Sequence, residues 1–150
     1  MIFWNTQSVF IRVPKTASTS ILYSLFDCSE NCSQPEFNQV FNSMKPSFLY
    51  NNYQGDPNHV SFQTLRSHTP MIHRETIDSY FKFAFVRNPF DRIVSIYKYI
   101  EKIESIKHGD FKSFVLNSLP HENDQNKIWL CDQVSQVKDC DFIGRFENLQ

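Results

Sequence analysis

Glycine is scarce in this chain, with 3 in 150 residues. Tight phosphate-binding loops normally use glycine to let backbone approach the ligand, so any such loop here must be built from residues that carry a Cβ. An excess of charge is missing too. The net charge is −1, which excludes a broad nucleic-acid or membrane surface and makes any anion binding local. No apolar run approaches the roughly 18 residues of a membrane span. Residues 1–7 lack the basic region and apolar core of a signal peptide. The cysteines Cys28, Cys32, Cys131 and Cys140 do not have the paired spacing of a zinc site. Free thiols are the default for them, and one or two disulfides are the alternative in an oxidising compartment. Asn31-Cys32-Ser33 fits a glycosylation sequon. No carboxylate or Cys/His cluster suggests a metal, and no internal repeat is visible.

What the chain does have is apolar and aromatic mass. Apolar residues make up 41% and aromatics 15%, with 15 phenylalanines, which argues for a packed globule and against disorder. The length fits a single domain over residues 1–150. A strand is expected over about residues 8–13 and a helix over about 18–27. Residues 29–58 are polar, with Pro35, Pro46 and Pro57, and read as a loop region with a short helix near 36–41. Such an excursion is usually functional, and acceptor contacts are expected there. Residues 60–65 read as a short strand. Thr69-Pro70 starts a helix with Pro at its first position, placing Met71, Ile72, Ile77, Tyr80 and Phe81 near one face.

Lys82-Phe83-Ala84-Phe85-Val86 is a near-continuous apolar run, the pattern of a strand buried on both faces of a parallel sheet. After the turn at residues 87–92, Ile93, Ile96, Tyr97, Ile100 and Ile103 mark a helical stripe. A further helix is expected over about 110–119, a turn or two over 125–131, and a strand over 141–146. Strands separated by helices give an α/β fold with a central, mainly parallel sheet flanked by helices, a P-loop-like three-layer arrangement.

Chemistry concentrates at two strand ends. In Val13-Pro14-Lys15-Thr16-Ala17-Ser18-Thr19-Ser20 a strand passes through a tight loop into a helix start, where unpaired N–H groups and the helix dipole favour an anion. Lys15 adds a charge, and Thr16, Ser18, Thr19 and Ser20 add donors. The alternative is an ordinary basic residue before a Ser/Thr cap. Arg87 emerges from the end of the buried strand, where ligands of parallel sheets sit, and Ser95 follows about two helical turns on. Together they can hold a second anionic group. The alternative there is an Arg87–Asp91 pair. Asp91 and Arg92 read as a local salt bridge.

These residues resemble the blocks of sulfotransferases that use 3′-phosphoadenosine 5′-phosphosulfate. Residues 14–20 resemble the 5′-phosphosulfate loop, with Ala17-Ser18 where Gly-Gly is more usual, as in the uronyl and heparan 2-O-sulfotransferases. Residues 83–95 resemble the 3′-phosphate segment, including its Arg-to-Ser spacing. Residues 141–149 resemble a later block of the carbohydrate branch, and order and separation match.

The resemblance implies in-line sulfuryl transfer to a hydroxyl acceptor, a carbohydrate, without metal. Lys15 would assist at the bridging oxygen and the sulfonate. The backbone of residues 16–20, Ala17 and Ser18 included, would hold the 5′-phosphate with Thr16, Thr19 and Ser20. Arg87 and Ser95 would hold the 3′-phosphate. A histidine is the favoured base because its ordinary pKa lies near neutrality. His68, before the Thr-Pro helix, takes that role, with His73 second, while His59, His108 and His121 read as surface residues. Glu147 reads as a residue that could order the crevice, with its role open.

The rivals are a nucleotide or small-molecule kinase, disfavoured because no glycine directly precedes Lys15, and a truncated module that binds nucleotide without turnover. The resemblance also implies helices beyond the Glu-Asn-Leu block. Cytoplasm is the default compartment, and the Golgi lumen applies if the chain is part of a longer anchored protein.

Overall fold

The computed structural model describes residues 1–25, 56, 58–104, 110–118 and 132–149. Its centre is a four-stranded sheet in the order β1 (Ile2–Phe3), β2 (Ser8–Ile11), β3 (Phe81–Val86), β4 (Phe142–Arg145). β1 pairs antiparallel to β2, and β2, β3 and β4 run parallel, with Phe10 opposite Phe83 and Ala84 opposite Ile143. The helices are α1 (Ser18–Leu25), α2 (Phe62–His68), α3 (Met71–Ser79), α4 (Pro89–Glu104), α5 (Phe111–Ser118) and the short α6 (Gln133–Val137). A 3-10 turn, Phe146–Asn148, follows β4. This is the expected α/β fold.

Side-chain alternation along the strands divides the core between two faces. Val9, Ile11, Val13 and Ala84 pack with Phe62 and Leu65 of α2, Ile77 of α3 and Val137 of α6. On the other face Phe10 stacks on Phe83, centroids 4.9 Å apart, and Leu22 of α1 packs over them. Each fully buried aliphatic or aromatic side chain contributes about 1.5–3 kcal/mol. Ile96, Ile100 and Phe114 join α4 to α5. Gly144 lies against the Phe85 ring, and a Cβ there would stand 2.4 Å from Phe85 Cε1. Glycine at that position therefore sets the close approach of β4 to β3.

Several expectations change. Residues 60–65 are not a strand: Ser61 caps α2 by accepting the Thr64 N–H (3.2 Å), and Phe62 and Leu65 share its buried side. β3 is not buried on both faces, since Ala84 is its only buried residue and Phe81 is 52% exposed. Met71 and Ile72 are exposed, so only Ile77 and Tyr80 of that predicted face reach the core. Pro70 flanks α3 as its cap, and Met71 is the first helical residue. The pair β1 and the helix α6 were not foreseen. Cys140 is a free, half-buried thiol, and burial pushes its pKa up to about 11. The sequon, the helix near 36–41, the turn near 125–131, Cys28, Cys32, Cys131, His108, His121 and the Ile103 side chain lie outside the described residues. Among the described residues no helix is long and apolar enough to cross a membrane.

Candidate active site

The loop between β2 and α1 solves its lack of glycine by strain. Lys15 and Ala17 take left-handed backbone angles, φ 65° and 60°, at roughly 1–3 kcal/mol each for residues with a Cβ. The segment after β3 holds them there. Arg92, buried on α4, donates from Nε to the Pro14 carbonyl (3.0 Å), and Arg87 Nη1 reaches the Lys15 carbonyl (3.5 Å). Arg92 is thus turned inward onto the loop, a role its reading as the Asp91 partner did not contain. The Thr16 hydroxyl, expected to meet a ligand, is buried and donates to the Val13 carbonyl (2.9 Å). The first intrahelical bond of α1 runs from the Ile21 N–H to the Ala17 carbonyl. Ala17 has no side-chain oxygen to cap the first-turn N–H groups, which an anion can do instead.

Two open cavities meet at this loop. The first, about 320 Å³, is lined by Arg12, Lys15, Ala17, Ser18, Thr19, Ser20, His59 and Tyr99. The second, about 430 Å³, is lined by Lys15, Arg87, Asp91, Val94, Ser95, Lys98, Tyr99 and Lys102. Lys15 and Tyr99 belong to both, and the Lys15 ammonium lies 4.0 Å from the Tyr99 ring centroid. Burial, then the nearby Arg87 charge, lowers the Lys15 pKa. The structure therefore brings Lys15, Ala17, Ser18, Thr19 and Ser20 to one cavity and Arg87 and Ser95 to its neighbour.

Arg87 and its neighbour Asn88 are placed by two elements, α6 and the 3-10 turn after β4. The Gln133 side chain of α6 accepts the Arg87 N–H and donates to the Arg87 carbonyl, both at 2.9 Å, like one more strand residue. The Phe146 ring stacks on the guanidinium at 4.3 Å. Glu147 accepts the Asn88 N–H, which lowers its pKa first among several causes and gives this residue its place. Asn88 in turn accepts the Phe90 N–H at the start of α4 (2.9 Å).

His68 and His59 are placed opposite to expectation. His68 ends α2, with Nδ1 on the Thr64 carbonyl (2.9 Å), and lines neither cavity. His59 is not a surface residue. Its side chain is 10% exposed and lines the first cavity, with Nδ1 at 2.8 Å from the Arg12 carbonyl. Its backbone carbonyl accepts from Gln136 of α6 (3.2 Å), and Asp56 lies 3.9 Å from Nε2. Burial is the main cause of its lowered pKa. His73 lies on α3 beside Trp4. Among the described residues no group of His, Cys, Asp and Glu is arranged to hold a metal ion.

Sequence comparison identifies the family. The model of the sulfotransferase family matches residues 4–150. The chain belongs to the sulfotransferase family. No curated protein and no solved structure gives a significant match. As a sulfotransferase the chain is a transferase that moves sulfuryl groups, and the family match spans both cation-lined cavities. Arg12, His59, Lys98, Tyr99 and Lys102 are the cavity residues that sequence reading missed. The α4 residues Lys98, Tyr99 and Lys102 were detectable, because they continue the side of the helix that carries Ser95.

Proposed function

We propose that the chain transfers a sulfuryl group from 3′-phosphoadenosine 5′-phosphosulfate to a carbohydrate hydroxyl. The observation that carries this reading is the pair of adjoining cavities that share Lys15, one at the N-terminus of α1 and one at Arg87 and Ser95. A nucleotide with an anionic group at each end suits that pair, and a singly phosphorylated ligand would leave one cation cluster unused. The donor supplies an activated sulfonate. Ser18, Thr19 and Ser20 bind and orient its 5′ end through the first turn of α1. Arg87 and Ser95 hold the 3′-phosphate, the guanidinium able to fork onto two oxygens. Lys15 stabilises the charge that develops on the departing oxygen. The acceptor proton goes to a histidine, and the reading gives that role to His59, which lines the cavity with Lys15, in place of His68.

Calorimetry with adenosine 3′,5′-bisphosphate, without added metal, tests the nucleotide assignment. Binding by the unmodified chain, and measurably weaker binding by Lys15→Ala and Arg87→Ala, are expected. Absence of binding, or binding indifferent to both substitutions, overturns it. Transfer from the phosphosulfate donor to a panel of glycans then tests the acceptor class.

A further inference from the structure

Tyr99 stands on α4 one turn beyond Ser95, and its ring carries the ammonium of Lys15 from the other side of the crevice. We propose that Tyr99 is the positioning residue for Lys15, fixing the ammonium on the wall between the two cavities so that it serves anions on both sides. A lysine side chain has about 2 kcal/mol of rotamer entropy to lose before it can act at one point. A carboxylate partner would fix it but neutralise it. An aromatic face attracts the cation through its quadrupole and leaves the charge undiminished for a ligand. The backbone below is already fixed, by the positive φ at Lys15 and by Arg87 on its carbonyl. Tyr99 restrains the remaining free end. Because Ser95 and Tyr99 share one helix, the element that lines the second cavity also aims the lysine of the first.

This inference rests on the nucleotide reading for its binding arm only. That arm is a double-mutant cycle on adenosine 3′,5′-bisphosphate affinity. Tyr99→Leu is expected to weaken binding about tenfold, and Tyr99→Phe, which keeps the ring face, to stay within about threefold. In a Lys15→Met background Tyr99→Leu is expected to change nothing. An equal loss in both backgrounds, or no loss in the unmodified background, overturns the proposal. The second arm needs no ligand. The Lys15 side-chain methylene protons next to nitrogen should be shifted upfield by the ring in NMR spectra of the free protein, in the unmodified chain and Tyr99→Phe but not in Tyr99→Leu. An ordinary lysine shift in the unmodified chain overturns the proposal. If the bisphosphate does not bind the unmodified chain, the nucleotide reading fails and the NMR arm alone decides the role of Tyr99.

Discussion

His59 donates its Nδ1 proton to the Arg12 carbonyl at 2.8 Å. A carbonyl can only accept, so this contact fixes the tautomer and puts the lone pair of the neutral ring on Nε2. Burial is the main cause that lowers its pKa and favours the neutral ring; the bond to the Arg12 carbonyl and the Asp56 carboxylate act against it, and the charges of Arg12 and Arg92 act with it. The result is a neutral imidazole with a defined basic nitrogen, in the cavity that also holds Lys15.

His59→Asn separates the two functions of the ring. The asparagine amide can still donate to the Arg12 carbonyl but offers no base. Transfer should fall about 10²- to 10⁴-fold, while affinity for adenosine 3′,5′-bisphosphate stays near that of the unmodified chain. His68→Ala should leave the transfer rate within a small factor. The reverse ranking of the two variants in a rate assay returns the base role to His68.

The same ring makes stability depend on pH. The folded pKa lies below the ordinary histidine value of about 6.5, so the unfolded chain binds a proton that the folded chain refuses. Stability should therefore decline as pH falls through about 6.5, with a slope of at most about 1.4 kcal/mol per pH unit from this group. Unfolding midpoints measured between about pH 5 and 7.5 should fall more steeply for the unmodified chain than for His59→Asn. Parallel curves would remove His59 as the cause.

Ala17→Gly probes the strained loop. At φ 60° an alanine is disfavoured and a glycine is not. The substitution should raise unfolding free energy by about 0.5–1 kcal/mol, the unfolded chain's extra freedom taking back part of the relief. Ala17→Val, branched at Cβ, should be destabilising instead. Denaturant titrations of both variants read the difference, and a destabilised glycine variant would show that the left-handed angle is not strained.

The residues that were legible in the sequence are those whose placement is local. The strand, loop and helix start around Lys15 lie within one short segment, as do Arg87 and Ser95. Residues 60–65 misled because Val60, Phe62 and Thr64 alternate like a strand over a stretch too short to show helical period, and the Ser61 cap decides the matter. His59 has polar neighbours in sequence, Asn58 and Asp56, and its burial comes from the distant Arg12 and Gln136. The missing glycines are likewise compensated from afar. Arg87 and Arg92, on the far side of the sheet crossover, hold a loop conformation that its own residues disfavour.

Gln133 gives the sharpest test of how Arg87 is placed. Its amide closes two hydrogen bonds on the Arg87 backbone, one in each direction. Gln133→Leu leaves a half-buried N–H and a carbonyl without these partners, at about 1–3 kcal/mol of stability. It also frees the strand end from which the guanidinium projects, so affinity for the bisphosphate should drop. Asp132→Ala is the control. Asp132 caps the same helix by accepting the Val134 and Ser135 N–H groups and does not touch Arg87. Loss of that cap should cost about 1 kcal/mol and leave affinity unchanged. Stability would then fall in both variants and binding in Gln133→Leu alone. Equal binding losses would mean that α6 acts on the site as a whole helix, without a particular role for the Gln133 amide.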